Sequence, residues 1–163
     1  MLSRIFPTQV DNNYRGHRLA IWFLVPIILL RGLIGFNSIF FARSVATSAD
    51  GVPLDSFTPA AAGTVLALFA LLGLFSLLLA LLGLVVLVRY RAMIPFLYLF
   101  LLAQEVGNKA VLLAYPVTRS ASSGMPAGSI VVFTILAMTL VGFALSLITN
   151  RNFLGVKSTG QNT

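Results

Sequence analysis

The chain reads as four long apolar blocks separated by short polar ones. Leu19–Ala42, Thr64–Val88, Ala92–Tyr115 and Ser129–Thr149 each reach the roughly 20 residues that an α-helix needs to cross a bilayer. Lipid offers backbone N–H and C=O groups no partner, so a spanning segment must be a helix or part of a closed barrel. Barrel strands alternate polar and apolar positions, and these blocks do not. The pattern predicts an all-α fold, an integral membrane four-helix bundle, with residues 1–163 as one transmembrane domain and a flexible tail over 150–163. The second block, uncharged until Arg89, is longer than the ~30 Å hydrocarbon layer at ~1.5 Å per residue, so it is expected to tilt.

The polar breaks divide the blocks. Arg43 to Gly63 holds an Asp50-Gly51 turn signal, Pro53 and Pro59, and is expected to be a loop in water. Arg89-Tyr90-Arg91 reads as a tight basic turn, and Pro116 to Gly128, rich in Ser, Gly and Pro, as an exposed loop. Pro26 predicts a kink in the first helix, whereas Pro95 falls near the start of the third, where proline is tolerated. Small residues at Gly73, Ser76, Ala80 and Gly83 share one stripe of the second helix and invite close packing inside the bundle.

Composition fixes the solvent. Hydrophobic residues make up 58% and charged residues 9%, against about 25% charged in soluble domains. A soluble globule could not cover itself with so few charges. Zero Cys and a single His, His17, exclude thiol chemistry and multi-His metal clusters within one chain. No phosphate loop, zinc motif or nucleophilic triad is present, so no cofactor is expected and the chain reads as non-catalytic.

The net charge of +7 reports topology. Arg4, Arg15, Arg18, Arg89, Arg91, Arg151 and Lys157 fall on one side of the four spans, and Arg43 and Arg119 on the other, whose first loop also carries Asp50 and Asp55. The positive-inside rule then puts both termini in the cytoplasm, and the overall character suggests a bacterial inner (cytoplasmic) membrane. The excess charge suits anionic lipid head groups, not nucleic acid. Trp22, Tyr90 and Tyr115 suit the two interfaces. A basic start followed by an apolar run resembles a signal peptide, but two Arg separate that run from any cleavage site, which argues against removal.

The chemistry lies at bilayer depth. Arg31 is twelve residues beyond Leu19 and Glu105 twelve beyond Met93, on helices expected to run the same way. Both should therefore lie about 18 Å in, at ~1.5 Å per residue. Tyr98, Leu101, Glu105, Asn108, Lys109 and Leu112 share a face of the third helix, with Gln104 to one side, and Glu105 and Lys109 are spaced i,i+4. Arg31, Gly35, Ser38 and Ala42 share a face of the first. The expected network is Arg31–Glu105–Lys109 with Tyr98 and Asn108 as neighbours. Two cations and one carboxylate leave a surplus positive charge, with three outcomes open: Lys109 reaches toward the outer interface, it loses its proton, or an anion from elsewhere (a lipid phosphate, a substrate or a carboxylate on a partner helix) completes the site. An intramembrane charge costs about 2.5–3.5 kcal/mol on insertion scales, so it is paired or functional.

The run Leu29-Leu30-Arg31-Gly32-Leu33-Ile34-Gly35 is faintly similar to the opening helix of DoxX-like proteins; the third helix departs from them, and nothing else is implied. Small multidrug transporters also carry a membrane carboxylate in four helices, but on the first, where this chain has Arg31. Two functions fit. One is an accessory or structural subunit of a larger membrane complex, whose partners are lipids and other integral membrane subunits or further copies. The other is a small oligomeric transporter or channel using Arg31, Glu105 and Lys109.

Overall fold

The computed structural model describes residues 5–7, 11–14, 16–116 and 127–148. Four helices are long and apolar enough to cross a membrane: α1 (Arg18–Phe40), α2 (Pro59–Arg89), α3 (Ile94–Ala114) and α4 (Ala127–Leu147). The fold is an all-α helical bundle, and the protein is a multi-pass membrane protein. Its surface agrees with that solvent. Leu68, Leu71, Leu72, Phe75, Leu78 and Leu81 of α2 are all more than half exposed, an apolar belt that water would not tolerate on a monomer. Arg4, Arg15, Arg119, Arg151 and Lys157 lie outside the described residues, as do most of the loop before α4 and the whole polar tail.

α1 is the hub. It packs along α2 and against α4, α4 also packs on α3, and α2 meets α3 only sparsely. α1 and α3 therefore face each other across the bundle and are joined chiefly by side chains. The close-packed core lies toward the end that carries Arg18, Arg89 and Arg91: Leu24, Ile27 and Ile28 from α1, Ala80 and Val86 from α2, Ile94, Leu97 and Leu101 from α3, and Ile135 from α4.

The α1–α2 contact comes from small residues. Gly73, Ala80 and Gly83 are the buried stripe of α2, and Gly35 and Ser38 are buried on the facing side of α1. A Cβ on Gly35 would lie 2.7 Å from the Gly73 carbonyl oxygen, and one on Gly73 would lie 2.6 Å from the Ser38 Cβ. The helices thus meet backbone to backbone. Van der Waals packing holds helices together in lipid, so this seam depends on having no side chain there.

Two expectations are corrected. The segment from 43 to 63 is not an irregular loop. A helical turn, Ala42–Ser44, runs into the π-helical Val45–Ala49, then a 3-10 turn, Leu54–Ser56. Ala46, Val52 and Leu54 are buried and pack with Phe57, Val65, Leu66 and Phe69 as a small second core. Their apolar side chains find cover on the first turns of α2, which is why the segment folds. Gly51, at φ +69, makes the turn that returns the chain. Second, α2 begins at Pro59, five residues before the apolar block, because the Thr58 hydroxyl accepts from Ala61 N and proline suits the first helical position. Its 31 residues span about 46 Å at 1.5 Å each, enough to cross the bilayer and still carry the second core.

The segment before α1 also folds back. His17 N donates to the Leu145 carbonyl (3.4 Å) and Ala92 N to that of Asp11 (3.2 Å), which ties it to the end of α4 and the start of α3. Tyr14 packs against the main core with its hydroxyl buried and unpartnered, and burial raises the phenol's pKa above its ordinary value. His17 Nδ1 accepts from Leu19 N and caps α1.

Candidate functional site

A charged layer lies just beyond the main core. The Arg31 guanidinium donates through Nη2 to Glu105 Oε1 at 2.5 Å and through Nη1 to Gln104 Oε1 at 2.7 Å. The side chains of Arg31 and Glu105 are 6% and 9% exposed, so the ion pair is buried. One arm reaches from α1 across to α3 and grips two consecutive residues. A planar guanidinium fork is suited to that geometry, where an ammonium would act only as a point charge. Arg31 Nε is buried without a partner. The Arg31 carbonyl accepts from the Ser76 hydroxyl (3.1 Å), which fixes the Arg backbone against α2.

Tyr98 forms a second crossing between the same helices. Its hydroxyl donates to the Ala20 carbonyl at 2.6 Å, and the side chain is fully buried. Among the described residues no hydrogen bond links it to the charged layer. A Cβ on Gly142 of α4 would overlap the Tyr98 ring, so the absence of a side chain there makes room for the phenol. Tyr98→Phe is expected to lower stability by about 0.5–1.5 kcal/mol, the net contribution of one such bond. Thermal unfolding in detergent or bicelles measures it, and an unchanged midpoint would show that the hydroxyl contributes nothing.

Lys109 and Asn108 stand apart from Arg31 and Glu105. The Lys109 ammonium lies 4.7 Å from the centroid of the Phe133 ring on α4, within cation–π range, and has no hydrogen bond to Glu105. Asn108 is exposed. The physical reason is packing. Glu105 is the last buried residue of α3, and from Val106 to Pro116 every residue except the half-buried Lys109 is exposed. The face predicted from spacing is continuous along α3, but the bundle covers only its first part. Gln104 joins instead. It lies about 100° around the helix from Glu105, an offset that the width of the guanidinium and the length of the glutamine span.

Elsewhere the polar groups serve local structure. Arg43 and Asp55 pair at 3.1 Å but are largely exposed, a geometry that contributes little. Among the described residues no group of three His, Cys, Asp or Glu could hold a metal ion. Two shallow depressions of about 460 and 470 Å³ lie at opposite ends, one lined by Asn37, Phe41, Ser44 and Ser48 among others, the other by Asp11, Asn12, Arg89 and Tyr90. Arg31 and Glu105 line neither.

The chain matches no family model, no curated protein and no solved structure. The likeness of Leu29–Gly35 to DoxX-like proteins accordingly carries no argument, and function rests on the geometry above.

Proposed function

We propose that the protein is a non-catalytic accessory subunit of a larger membrane complex, oriented with both termini in the cytoplasm of a bacterial inner membrane. The observation that carries this reading is the closed charge pair. Arg31 satisfies Glu105 directly, is held by Gln104, and is fixed through its own carbonyl to α2. Such a pair ties diagonal helices together, whereas a transport relay needs its carboxylate open to a path. Among the described residues, Arg18, Arg89 and Arg91 lie together at one end of the bundle, which supports the orientation through the positive-inside rule.

The test is native mass spectrometry of the tail-tagged protein extracted in lipid nanodiscs, with protease protection of the tag in sealed membranes read alongside. The expected result is recovery at fixed stoichiometry with other membrane proteins, and a tag reached only after the cytoplasmic face is opened. Recovery alone or as a homo-oligomer would overturn the subunit reading and move the weight to transport. A tag cleaved from outside would overturn the orientation.

A further inference from the structure

Beyond Glu105, α3 carries polar groups on a stretch that the rest of the bundle leaves largely uncovered, at a depth where lipid offers them no partner. Val106 is 63% exposed, Leu113 84% and Tyr115 76%, and no atom lies within 4 Å of where a Gly107 Cβ would be. On this stretch sit an exposed amide, Asn108, and a half-buried cation, Lys109, whose ammonium lies over the Phe133 ring of α4. Leu112 lies three residues from Lys109 and four from Asn108, so the three share one face. Amide and charged side chains in a membrane helix lie against another helix or a polar cavity, or, for a long cation near a helix end, reach the interface, because hydrocarbon leaves them unpaired.

Among the described residues, no carboxylate pairs with Lys109. The chain's four acids are Asp11, Asp50, Asp55 and Glu105. Asp11 lies at the other end of the bundle beside Ala92, and Asp50 lies against Gly128 at the start of α4. Asp55 pairs with Arg43 and Glu105 with Arg31. The segments outside the described residues contain no Asp or Glu at all. A second copy of this chain would bring the same shortage and a second Lys109. Nor does the ammonium reach for the nearest helix end. It sits over Phe133, six residues inside the start of α4 and so about 9 Å along the axis at ~1.5 Å per residue.

We infer that the face of α3 formed by Asn108, Lys109 and Leu112 docks a transmembrane helix of a different protein that carries a carboxylate at the depth of Lys109. The inference rests on the subunit reading above and names its docking surface. The partner's Asp or Glu accepts from the Lys109 ammonium, and Asn108 supplies an amide to the same seam.

Site-specific photo-crosslinking in intact cells tests this, with the crosslinking residue placed at Leu112 or Leu113 and, as controls, at the exposed Leu72 and Leu82 of α2. The expected result is an adduct from α3 to a transmembrane segment of another protein with an Asp or Glu within one turn of the crosslinked position. Its yield falls by about tenfold or more in Lys109→Leu and less than about twofold in Lys109→Arg, as loss of a charge partner requires. Because Lys109 is outside the main core, the variants are expected to keep the parent's elution and helical content. Adducts only to lipid, only to a second copy, or to a segment without an acid would overturn the inference. Protein adducts from α2 alone would overturn it while leaving the subunit reading standing. No protein adduct from any position would overturn both.

Discussion

Replacing Glu105 with leucine while Arg31 is kept is expected to cost about 3–5 kcal/mol, the range for breaking a buried ion pair by removing one partner. Arg31 is 5% exposed and cannot shed its charge, so Glu105→Leu strands a guanidinium that already has an unpartnered Nε. Gln104 remains as a neutral acceptor and softens the loss without cancelling it. Arg31→Met strands Glu105 and frees Gln104, and a carboxylate can neutralise by taking up a proton, so its loss should be the smaller of the two. The double replacement removes both charges and should destabilise less than Glu105→Leu alone. Reversible unfolding in bicelles, with all three variants and the parent, gives the coupling energy. Additive losses would mean that the two groups do not stabilise each other, and would remove the strut between α1 and α3.

Much of this architecture is visible in the residues. Four spans follow from length, hydropathy and the lack of barrel-type alternation, because lipid then leaves a long apolar segment no alternative to a helix. The shared depth of Arg31 and Glu105 follows from counting residues along helices that run the same way. The small-residue stripes on α1 and α2 can be seen too, and the structure places them against each other. What cannot be read is which groups meet when several compete. Glu105 has Lys109 four residues along its own helix and Arg31 across the bundle; the Arg fork takes it, and Lys109 turns to Phe133. That outcome depends on where α4 lies, which periodicity does not encode. Gln104 is hidden for a related reason, since face assignments treat side chains as points. The Thr58-Pro59 start of α2 was available as a capping signal, but it lies inside a stretch whose polar and proline content imitates a loop. The folding of 42–58 onto α2 depends on a few apolar residues scattered among polar ones, too sparse to show a period.

The second large effect belongs to the glycine seam, and it is coupled to the first. Gly35→Ala is expected to destabilise by about 1–3 kcal/mol, the range for forcing volume into a packed interface. The new methyl would meet the Gly73 carbonyl oxygen and Leu77 N, both at 2.7 Å. These are backbone atoms, so no side-chain rotation relieves the overlap and the helices themselves must separate. Gly73→Ala should act alike, against the Ser38 Cβ at 2.6 Å and the Gly35 carbonyl oxygen at 2.9 Å. Gly107→Ala is the matched control, with nothing within 4 Å, and should not destabilise, since an unobstructed exchange of Gly for Ala in a helix interior favours the helix by about 0.5–1 kcal/mol. Gly35 is one turn beyond Arg31, whose carbonyl is held by Ser76 on α2. Opening the seam therefore pulls the Arg31 backbone off its support and lengthens the reach to Glu105. Gly35→Ala and Glu105→Leu should thus be less than additive, because the first weakens the contact that the second removes. Strict additivity in the same unfolding measurement would show that the seam and the charged layer are independent, and that α2 does not hold Arg31 in place.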